Sequence, residues 1–271
     1  MGNRLIFRRT IAIRKNCRAC RVTLTVTVIT RNEARVIARC LESVAWADHI
    51  VVLDSASTDG TPDIARNLRA QVTTSSDWPG FGPQKNRALD MATGDWVLSL
   101  DADEWITPEL RKEIEVAMRE PGNHAAFRLP RLSSYCGRFM RHAGWWPDYV
   151  TRLFRRGAAR FSPDLVHERL IVDGTTGTLQ ASLMHEAIVD LEDALHKMNA
   201  YSTAGAAMQF ERGKTGSLIS AVLHGAWTFV RTYVLRRGFL DGREGFMLAV
   251  SNAEGAYYRY LKLALLGKKR Q

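Results

Sequence analysis

The sequence predicts an α/β protein with a mostly parallel sheet covered by helices on both faces. Strand-like apolar runs alternate with helix-like segments up to about residue 120. The runs are apolar throughout, as expected of strands buried on both sides, and Thr–Pro pairs and a glycine mark helix ends. With 271 residues, 46% of them hydrophobic, the chain can bury a core of this size.

Four strands are predicted from β-branched and apolar runs: "TLTVTVIT" (Thr23–Thr30), "HIVVLD", "QVTT" and "DWVLSLD". In such sheets, ligands bind beyond the carboxyl ends of the strands. The loops after Ile29, Leu53 and Leu100 are therefore expected to form the functional site.

Helices are predicted between these strands: "RNEARVIARCLESV", "DIARNLRA", "QKNRALDMATG" and "TPELRKEIEVAMRE". Thr61 and Pro62 suit the N-cap and first turn of the second helix, and Gly94 is expected to close the third. Short strands and turns follow from Ala125 to about Val189, as in an antiparallel extension. From Leu191 onward the pattern is helical.

The net charge of +10 favours anionic partners: nucleic acid, phosphorylated substrates or an anionic membrane. Cys17 and Cys20 form a single CxxC, a weak zinc signal, and no disulfide framework is evident, which fits a reducing cytoplasm. Residues 1–21 are predicted to be a basic, disordered leader. Arginines interrupt every candidate signal-peptide core, and without about 18 uninterrupted apolar residues no ordinary transmembrane helix is expected.

The stretch "LSLDADEW" crowds Asp101, Asp103 and Glu104 at the end of a predicted strand. Like charges are unfavourable there unless a positive centre lies close by. Two carboxylates two residues apart at a strand end can converge on Mg²⁺ or Mn²⁺, which prefer oxygen ligands. The alternative is a solvated acidic turn that caps the helix beginning at Thr107.

Polar residues accompany the other strand ends. Asp54 can accept hydrogen bonds from a base or a ribose, and Arg31 and Lys85 supply cations near the same edge. Asp59 and Thr61 are interpreted as turn and cap residues. The GxGxxG fingerprint of dinucleotide-binding proteins is absent after the first strand.

The stretches "VITRNEARVIARCLESV", "VVLDSASTDGT" and "QKNRALDMATGDWVLSLDADE", in that order, resemble family 2 inverting glycosyltransferases from about Leu24 to Glu104. The resemblance implies a GT-A fold over residues 22–189. Residues 22–120 would form the nucleotide-sugar half and residues 121–189 the acceptor half, followed by a helical, membrane-associating segment at 190–271.

The resemblance also implies site roles. Asp101 and Asp103 would be the DxD motif that grips a metal, Mg²⁺ or Mn²⁺, and the donor diphosphate, with Asp103 counted as catalytic. Asp54 would contact the nucleobase, most simply uracil, and Ser55 replaces a second acid of the commonest family pattern. The implied donor-binding residues are Thr30, Arg31, Glu33, Asp54, Lys85, Asp101, Arg152 and Arg155.

The pairing of "RLFRR" with "VHE" resembles a subgroup that acts on lipopolysaccharide cores and some peptide glycosyltransferases. By that resemblance Glu168 is the catalytic base and His167 binds the metal or a diphosphate oxygen. Arg152 and Arg155 can clamp a diphosphate or an acceptor phosphate. The alternatives are a packed histidine, a surface acid and two exposed strand arginines.

Aromatic residues offer possible sugar contacts. Trp145 and Trp146 in "AGWWPDY" can form an acceptor platform or pack in the core. Trp78, in a loop rich in Gly and Pro, can border the donor.

The segment "SLISAVLHGAWTFVRTYVLRRGFLDGREGF" carries apolar residues at helical spacing, with His224, Thr228 and Arg231 on the other side. This is typical of an amphipathic helix lying in a membrane interface, and Lys268, Lys269 and Arg270 add charge attractive to anionic lipid. The alternative is a helix docked on the catalytic core. The apolar positions are Ile219, Val222, Leu223, Ala226, Trp227, Val230, Tyr233 and Val234.

"GFLDGREGF" resembles the tail of the lipopolysaccharide inner-core β-1,4-glucosyltransferase group. The resemblance implies transfer of a hexose, most simply glucose from UDP-glucose, to an inner-core heptose of lipid A–core. The enzyme would be peripheral on the cytoplasmic face of the bacterial inner membrane, in contact with anionic lipid. Polyprenyl-phosphate and peptide acceptors are alternatives within the same family.

Two other classes fit poorly. A DxD phosphatase carries its motif after the first strand, whereas Asp101 and Asp103 follow a later one. A nucleic-acid binder is suggested by charge alone, and no RNP, helix-turn-helix or zinc-finger pattern supports it. We therefore expect no nucleic-acid partner.

Overall fold

The computed structural model of the chain describes residues 21–163 and 168–268. Its largest element is a mixed ten-stranded sheet, and the predicted α/β class is confirmed. The strands are β1 (Leu24–Thr30), β2 (His49–Asp54), β3 (Gln71–Thr74), β4 (Trp96–Asp101), β5 (Glu104–Ile106), β6 (His124–Tyr135), β7 (Arg138–Phe139), β8 (Asp148–Arg155), β9 (Ala159–Phe161), β10 (Leu170–Val172), β11 (Thr175–Thr178) and β12 (Leu183–Ile188).

The helices pack on this sheet and continue beyond it at the C-terminal end. They are α1 (Ile37–Ser43), α2 (Thr61–Asn67), α3 (Phe81–Asp90), α4 (Pro108–Arg119), α5 (Leu191–Glu211), α6 (Leu218–Val230) and α7 (Gly242–Lys268). A π-helical turn (Arg231–Leu235) and a 3₁₀ turn (Gly238–Asp241) join α6 to α7. The predicted division into domains stays a prediction.

The sheet has a parallel half and a mixed half. In the order β3-β2-β1-β4-β8-β6-β12-β5, the first four strands are parallel, as predicted. β8 runs antiparallel to both β4 and β6, but β11 and β12 run parallel to β6, so the second half is only partly the expected antiparallel extension. The strand order reverses between β1 and β4, the kind of position where ligands bind in open α/β sheets.

The main core lies between the parallel strands and helices α1 and α4. Leu98 and Val26 from the sheet and Ile114 from α4 are fully buried. A smaller cluster around Val97 and Phe154 covers the opposite face of the sheet. The predicted pattern of strands apolar on both faces thus matches a sheet buried on both sides.

Two helix ends differ from the prediction. The N-cap of α2 is Gly60 rather than Thr61, because the Thr61 hydroxyl donates to Asp59 Oδ1 at 2.6 Å and Thr61 is already helical. Gly94 does not close α3, which ends at Asp90. Gly94 instead allows a close approach to β1, where its N–H donates to Thr25 Oγ1 at 2.8 Å.

The C-terminal helices pack mainly on one another, with α7 in contact with both α5 and α6. Tyr135 of β6 packs with Ala194 and Leu248 in a third buried cluster, which joins these helices to the sheet. In the part of the chain that the structure describes, one helical stretch, Leu218–Leu235, is apolar and long enough to cross a membrane by composition and length, with a mean hydropathy of 1.2. From the sequence, no ordinary transmembrane helix was predicted, because there is no run of about 18 uninterrupted apolar residues.

We expect Gly94→Ala to destabilise the fold by about 1–3 kcal/mol, because overpacking forces neighbouring atoms apart. A Cβ at Gly94 would lie 2.8 Å from the backbone nitrogen of Thr25. Urea unfolding measures the change. Gly267→Ala, where a Cβ would meet nothing within 4 Å, is the control and should be neutral or stabilising by up to about 1 kcal/mol. Equal losses in both variants would contradict this interpretation.

Candidate active site

The three predicted site loops meet at the carboxyl ends of adjacent parallel strands. In the sheet register, Thr30 of β1 lies opposite Asp54 of β2, and Ile29 of β1 lies opposite Asp101 of β4. The structure therefore brings Thr30, Asp54 and Asp101 to one edge, as the sequence predicted.

Asp54 is fully buried and organises the loop that follows it. Its carboxylate accepts hydrogen bonds from Thr30 Oγ1 at 3.0 Å, Ser57 N at 2.9 Å and Ser57 Oγ at 2.5 Å. Gln84 from α3 donates to Ser55 Oγ at 3.0 Å and fixes the same loop from the other side. These contacts give Asp54 a structural role, and its contact with a nucleobase stays a prediction.

The loops after β1 and β2 are joined by hydrogen bonds. Asn32 N donates to Ser57 Oγ at 2.8 Å, Ala34 N donates to Asp59 Oδ2 at 3.0 Å, and Glu33 N donates to Thr61 Oγ1 at 2.8 Å. Asp59 and Thr61 are thus turn residues that position the neighbouring loop. Arg31, in the same loop, is exposed at the mouth of the site.

Glu33 lies half-buried near Asp103. Burial, followed by the negative charge of Asp103, raises the pKa of Glu33 to about 7. Glu33 therefore gains a proton close to neutral pH, unlike an ordinary surface glutamate.

Asp101 is paired with cations of the protein itself. Lys85 Nζ from α3 lies 2.9 Å from Asp101 Oδ1, and Arg152 from β8 donates to Asp101 Oδ2. Burial by itself would raise the pKa of Asp101, but the positive charges of Arg152 and Lys85 lower it well below its usual range. The carboxylate of Asp101 is therefore held in its charged form at neutral pH.

Glu104 is fully buried in the same network. It accepts from Asp101 N at 3.0 Å, from Arg152 Nη2 at 2.7 Å and from Arg131 Nη1 at 3.4 Å. Burial would lower the pKa of Arg152, but Asp101 and Glu104 raise it above its usual value. The acidic stretch requires a positive centre close by. Lys85, Arg152 and Arg131 supply it for Asp101 and Glu104, two of the three acids.

Asp103 points away from this network towards His185 of β12. Asp103 Oδ2 lies 3.4 Å from His185 Nε2, and the ring's other nitrogen, Nδ1, lies 2.9 Å from Ser133 Oγ. When Nδ1–H donates to Ser133, the lone pair on Nε2 faces Asp103. A hydrogen bond that fixes the ring in this way is typical of metal-binding histidines.

A divalent metal fits Asp103 and His185. A carboxylate oxygen and an imidazole nitrogen are both ligands of Mn²⁺, and Asp103 Oδ2 and His185 Nε2, 3.4 Å apart, are close enough to hold one ion together. Within residues 21–163 and 168–268, no group of three or more His, Cys, Asp or Glu side chains has the arrangement of a metal site. His167, the other predicted ligand, lies outside the described residues.

His185 was not among the site residues predicted from the sequence. It lies within "SLMHEAI", an apolar strand with no motif spacing to Asp101 or Asp103. Only the pairing of β12 with β5, which sets His185 opposite Glu104, brings it to the acidic stretch.

Glu168, the predicted base, lies at the same site as the acidic stretch. Its Oε1 is 3.1 Å from Lys85 Nζ, so one ammonium contacts both Glu168 and Asp101. Gly82 of α3 allows the Glu168 segment to approach, because a Cβ there would lie 2.0 Å from Ser162 O and 3.4 Å from Glu168 Cβ. Lys85 thereby links the predicted donor half to the predicted acceptor half.

Arg155, predicted to bind the donor, is not brought to the site. β8 runs antiparallel to β4, and Arg155 lies opposite Trp96, five residues before Asp101 and about 16 Å away along the strand. Its guanidinium lies over the Trp96 ring, with Cζ 5.0 Å from the ring centroid. Arg152, three residues earlier, points to the other face of the sheet and is the arginine that reaches the site.

The tryptophans take different positions. Trp145 packs edge-on against buried Tyr135, with ring centroids 6.0 Å apart, which favours the core interpretation for this residue. Trp146 is half-buried beneath Arg141, whose Cζ lies 5.6 Å from its ring centroid. Trp78 is partly exposed and packs edge-on against exposed Phe81 at 4.9 Å.

We expect Arg152→Met to destabilise the protein by about 3–5 kcal/mol, because it leaves a buried carboxylate without its main partner. Arg155→Met, on the same strand, is the matched control and should cost less than about 1 kcal/mol. Chemical denaturation of both variants measures the difference. Similar losses in the two variants would mean that the buried charge pairing of Arg152 is unimportant for stability.

The raised pKa of Glu33 predicts a pH-dependent stability difference. A carboxyl group whose pKa is raised on folding stabilises the folded state while protonated, and this contribution is lost as the pH rises through about 7. Glu33→Gln should therefore melt at a higher temperature than the wild type above pH 7 and at the same temperature below the ordinary glutamate value of 4.5. Exposed Glu42→Gln is the control, and a Glu33→Gln advantage that is independent of pH would contradict the assignment.

Comparison with known proteins places the chain in a family. A sequence profile described as "Glycosyl transferase family 2" matches residues 25–170, more than half of the chain. The uncharacterized glycosyltransferase RP128 of Rickettsia prowazekii (strain Madrid E) is 30% identical over 256 residues, covering 90% of this chain and 87% of its own. LpsC of Rhizobium meliloti (strain 1021), a lipopolysaccharide core biosynthesis glycosyltransferase, is 29% identical over 90% of this chain and 92% of its own.

Two solved structures align with most of the chain at low sequence identity. S. aureus TarS 1-349 in complex with UDP-GlcNAc aligns with a TM-score of 0.49 and 15% identity, over 92% of this chain and 93% of its own. The mannosyltransferase PcManGT from Pyrobaculum calidifontis, in complex with GDP-Man and Mn²⁺, aligns with a TM-score of 0.48 and 18% identity, over 91% and 79%. From the family profile and the near full-length relatives, the chain belongs to glycosyl transferase family 2 and is a glycosyltransferase, the family for which the sequence resemblance implied a GT-A fold.

Proposed function

We propose that the enzyme transfers a hexose, most simply glucose from UDP-glucose, to an inner-core heptose of lipopolysaccharide with inversion at the anomeric carbon. It works as a peripheral protein on the cytoplasmic face of the inner membrane. The relative LpsC, named for lipopolysaccharide core biosynthesis, supports the acceptor class. The net charge of +10 suits a phosphorylated acceptor.

The contact of Lys85 with both Asp101 and Glu168 carries this proposal. An inverting transferase needs the donor's leaving group and the base for the acceptor on opposite sides of one sugar. Asp101 marks the predicted donor side and Glu168 the predicted acceptor side. A single ammonium that touches both carboxylates supports one catalytic centre rather than two separate polar sites.

The donor occupies the edge formed by β1, β2 and β4. Loop 30–34 and loop 55–61 hold the nucleoside, with Asp54 at their base. Arg31 is exposed at the mouth of this edge, where a guanidinium can reach a diphosphate. Lys85, held beside Asp101, supplies a second cation towards the leaving group.

Asp103 and His185 would hold a divalent metal, Mg²⁺ or Mn²⁺. When bound there, the ion neutralises charge that develops on the leaving diphosphate. Asp101 stays with Lys85 and Arg152, so the two aspartates of the motif have separate roles.

Glu168 acts as the base. As the acceptor oxygen attacks the anomeric carbon from the face opposite UDP, a new carbon–oxygen bond forms and the bond to UDP breaks. The acceptor hydroxyl's proton passes to the Glu168 carboxylate, and UDP leaves with the electron pair. Lys85, at 3.1 Å, orients that carboxylate.

The function is tested with purified full-length protein, truncated lipid A–core as acceptor, Mg²⁺ or Mn²⁺, and a panel of UDP- and GDP-sugars. Mass spectrometry of the acceptor is the readout. We expect the mass of one added hexose with UDP-glucose and with no GDP-sugar. Slow donor hydrolysis without transfer would reject this acceptor in favour of a polyprenyl phosphate or a peptide, and no turnover of any nucleotide sugar would reject the proposal.

Replacing either proposed metal ligand should weaken the metal dependence. In Asp103→Asn and in His185→Ala we expect the Mn²⁺ concentration for half-maximal donor hydrolysis to rise at least about tenfold. Exposed His196→Ala is the matched control and should behave as the wild type. An unchanged metal titration in both ligand variants would remove the role assigned to this pair.

Removal of the base should affect transfer far more than donor binding. Glu168→Gln keeps the shape of the side chain but loses the proton acceptor, so we expect kcat for transfer to fall by about 10²–10⁴. The affinity for UDP, measured by calorimetry, should stay within about threefold of wild type. Exposed Glu211→Gln controls for loss of charge, and transfer by Glu168→Gln at the wild-type rate would assign the base to another residue.

A further inference from the structure

We infer that the chain carries a membrane-docking surface made of two neighbouring parts. The first, the outer face, consists of the large apolar side chains of α6 and the π-helical turn: Ile219, Val222, Leu223, Trp227, Val230 and Val234. The second, the arginine collar, consists of Arg138, Arg141, Arg236 and Arg237. Together they dock on an anionic bilayer and hold residues 141–147, beside the catalytic domain, against it. That these residues receive the acceptor rests on the proposed function.

The outer face points away from the protein because α6 packs through its small residues. Ala221 and Gly225 are buried, one turn apart, against α7. A Cβ at Gly225 would lie 3.2 Å from Tyr257 Cβ and 3.3 Å from Ala253 O, so the two helices are in close contact there. Small residues at a helix contact and large apolar residues outside are typical of helices in lipid and the reverse of a soluble amphipathic helix.

The exposure of the outer face is large for a protein in water. Ile219 is 73% exposed, Leu223 is 63% exposed and Trp227 is 56% exposed. Contiguous apolar surface of this kind marks an interaction site on most soluble proteins. The sequence alternative, a helix docked on the catalytic core, differs from the structure, in which α6 packs on α7 through its small residues.

The positive charge of the arginine collar indicates that the partner of this surface is anionic. All four arginines are exposed. Arg138 lies near the Glu244 carboxyl, and no ion pair of Arg141, Arg236 or Arg237 occurs within the described residues. Arg236 lies against Gly144, where a Cβ would come within 2.7 Å of its Cδ, and Arg138 lies near Gly242. The collar thus lies at the end of the outer face, where the π-helical turn meets the catalytic domain. Apolar surface bordered by guanidinium groups matches lipid chains bordered by anionic headgroups.

The surface lies on the bilayer rather than across it, although the stretch Leu218–Leu235 is long enough to span one. α6 is packed along α7, which carries charged residues including Lys262. The Lys262 ammonium donates to Asn199, Ser202 and Thr203 of α5 and ties the three helices together. Moving α6 into the hydrocarbon would carry these polar groups with it, at a high free-energy cost.

Buried Asp241 connects the docking surface to the catalytic domain. Its carboxylate accepts from Arg141 N at 3.2 Å, His142 N at 2.8 Å and His142 Nδ1 at 2.9 Å. Ala143 N also donates to Arg236 O at 2.9 Å. Residues 141–143 are therefore fixed to the turn that follows the outer face, and docking of that face brings them to the lipid surface.

The test is flotation of the full-length protein with two kinds of vesicle. One contains equal parts of phosphatidylcholine and phosphatidylglycerol, and the other contains phosphatidylcholine alone. We expect binding to the anionic vesicles that high salt weakens, and at least about tenfold weaker binding of Ile219→Asp/Leu223→Asp and of Arg236→Glu/Arg237→Glu. Val116→Asp, at an exposed apolar residue of α4, is the matched control and should bind as the wild type.

Several outcomes would overturn the inference. Equal binding of the outer-face variant and the wild type would place membrane contact elsewhere. A wild-type dimer in light scattering without lipid, converted to monomer by Ile219→Asp/Leu223→Asp, would assign the outer face to a second copy of the chain. Equal binding to both kinds of vesicle would show that the arginine collar does not contribute to membrane binding.

Donor hydrolysis in solution separates this inference from the proposed function. The outer-face variant lies outside the catalytic site, so its UDP-glucose hydrolysis and its melting temperature should match the wild type. Vesicle binding without any sugar transfer would leave the docking surface in place and reject the proposed function. Sugar transfer by a protein that does not bind vesicles would support the proposed function and reject the docking surface.

Discussion

The pairing of buried Asp101 and Glu104 with Lys85 and Arg152 is the constraint on which the rest of the site depends. Removing charges from water is costly, and the cost is recovered only when each charge has close partners and hydrogen bonds. Lys85 comes from α3 and Arg152 from β8, whereas Asp101 ends β4 and Glu104 begins β5, so the network fixes the parallel half of the sheet against the mixed half. Glu168 joins the same network through Lys85.

Because of this constraint, the two aspartates of the acidic stretch have different partners. Asp101 is committed to cations of the protein, whereas Asp103, two residues later, faces His185 across the sheet edge. One motif thus provides a structural counter-ion, Asp101, and a carboxylate that we propose as a metal ligand, Asp103. Asp241 ties the C-terminal helices to residues 141–142, so these helices and the sheet belong to one framework.

Much of the parallel half could be predicted because its signals are local. Apolar runs gave β1, β2 and β4, and strand ends placed Asp54 and Asp101 correctly at one edge. His185 and Arg131 could not be predicted, since strand pairings distant in sequence bring them to the site. The position of Arg155 could not be predicted for a related reason. It depends on the antiparallel register of β8, which no local pattern reveals. Likewise, periodicity identified the apolar face of α6, but only packing on α7 determined that this face points outward.

The separate roles of Asp101 and Asp103 are tested most directly by pulsed electron paramagnetic resonance of the Mn²⁺-loaded, full-length protein with UDP. The account predicts nitrogen modulation from a directly bound imidazole that diminishes when His185 is replaced by glutamine. Asp101→Asn should leave the modulation in place. Modulation that is unchanged without His185, or that disappears when Asp101 rather than Asp103 is neutralised, would contradict the account.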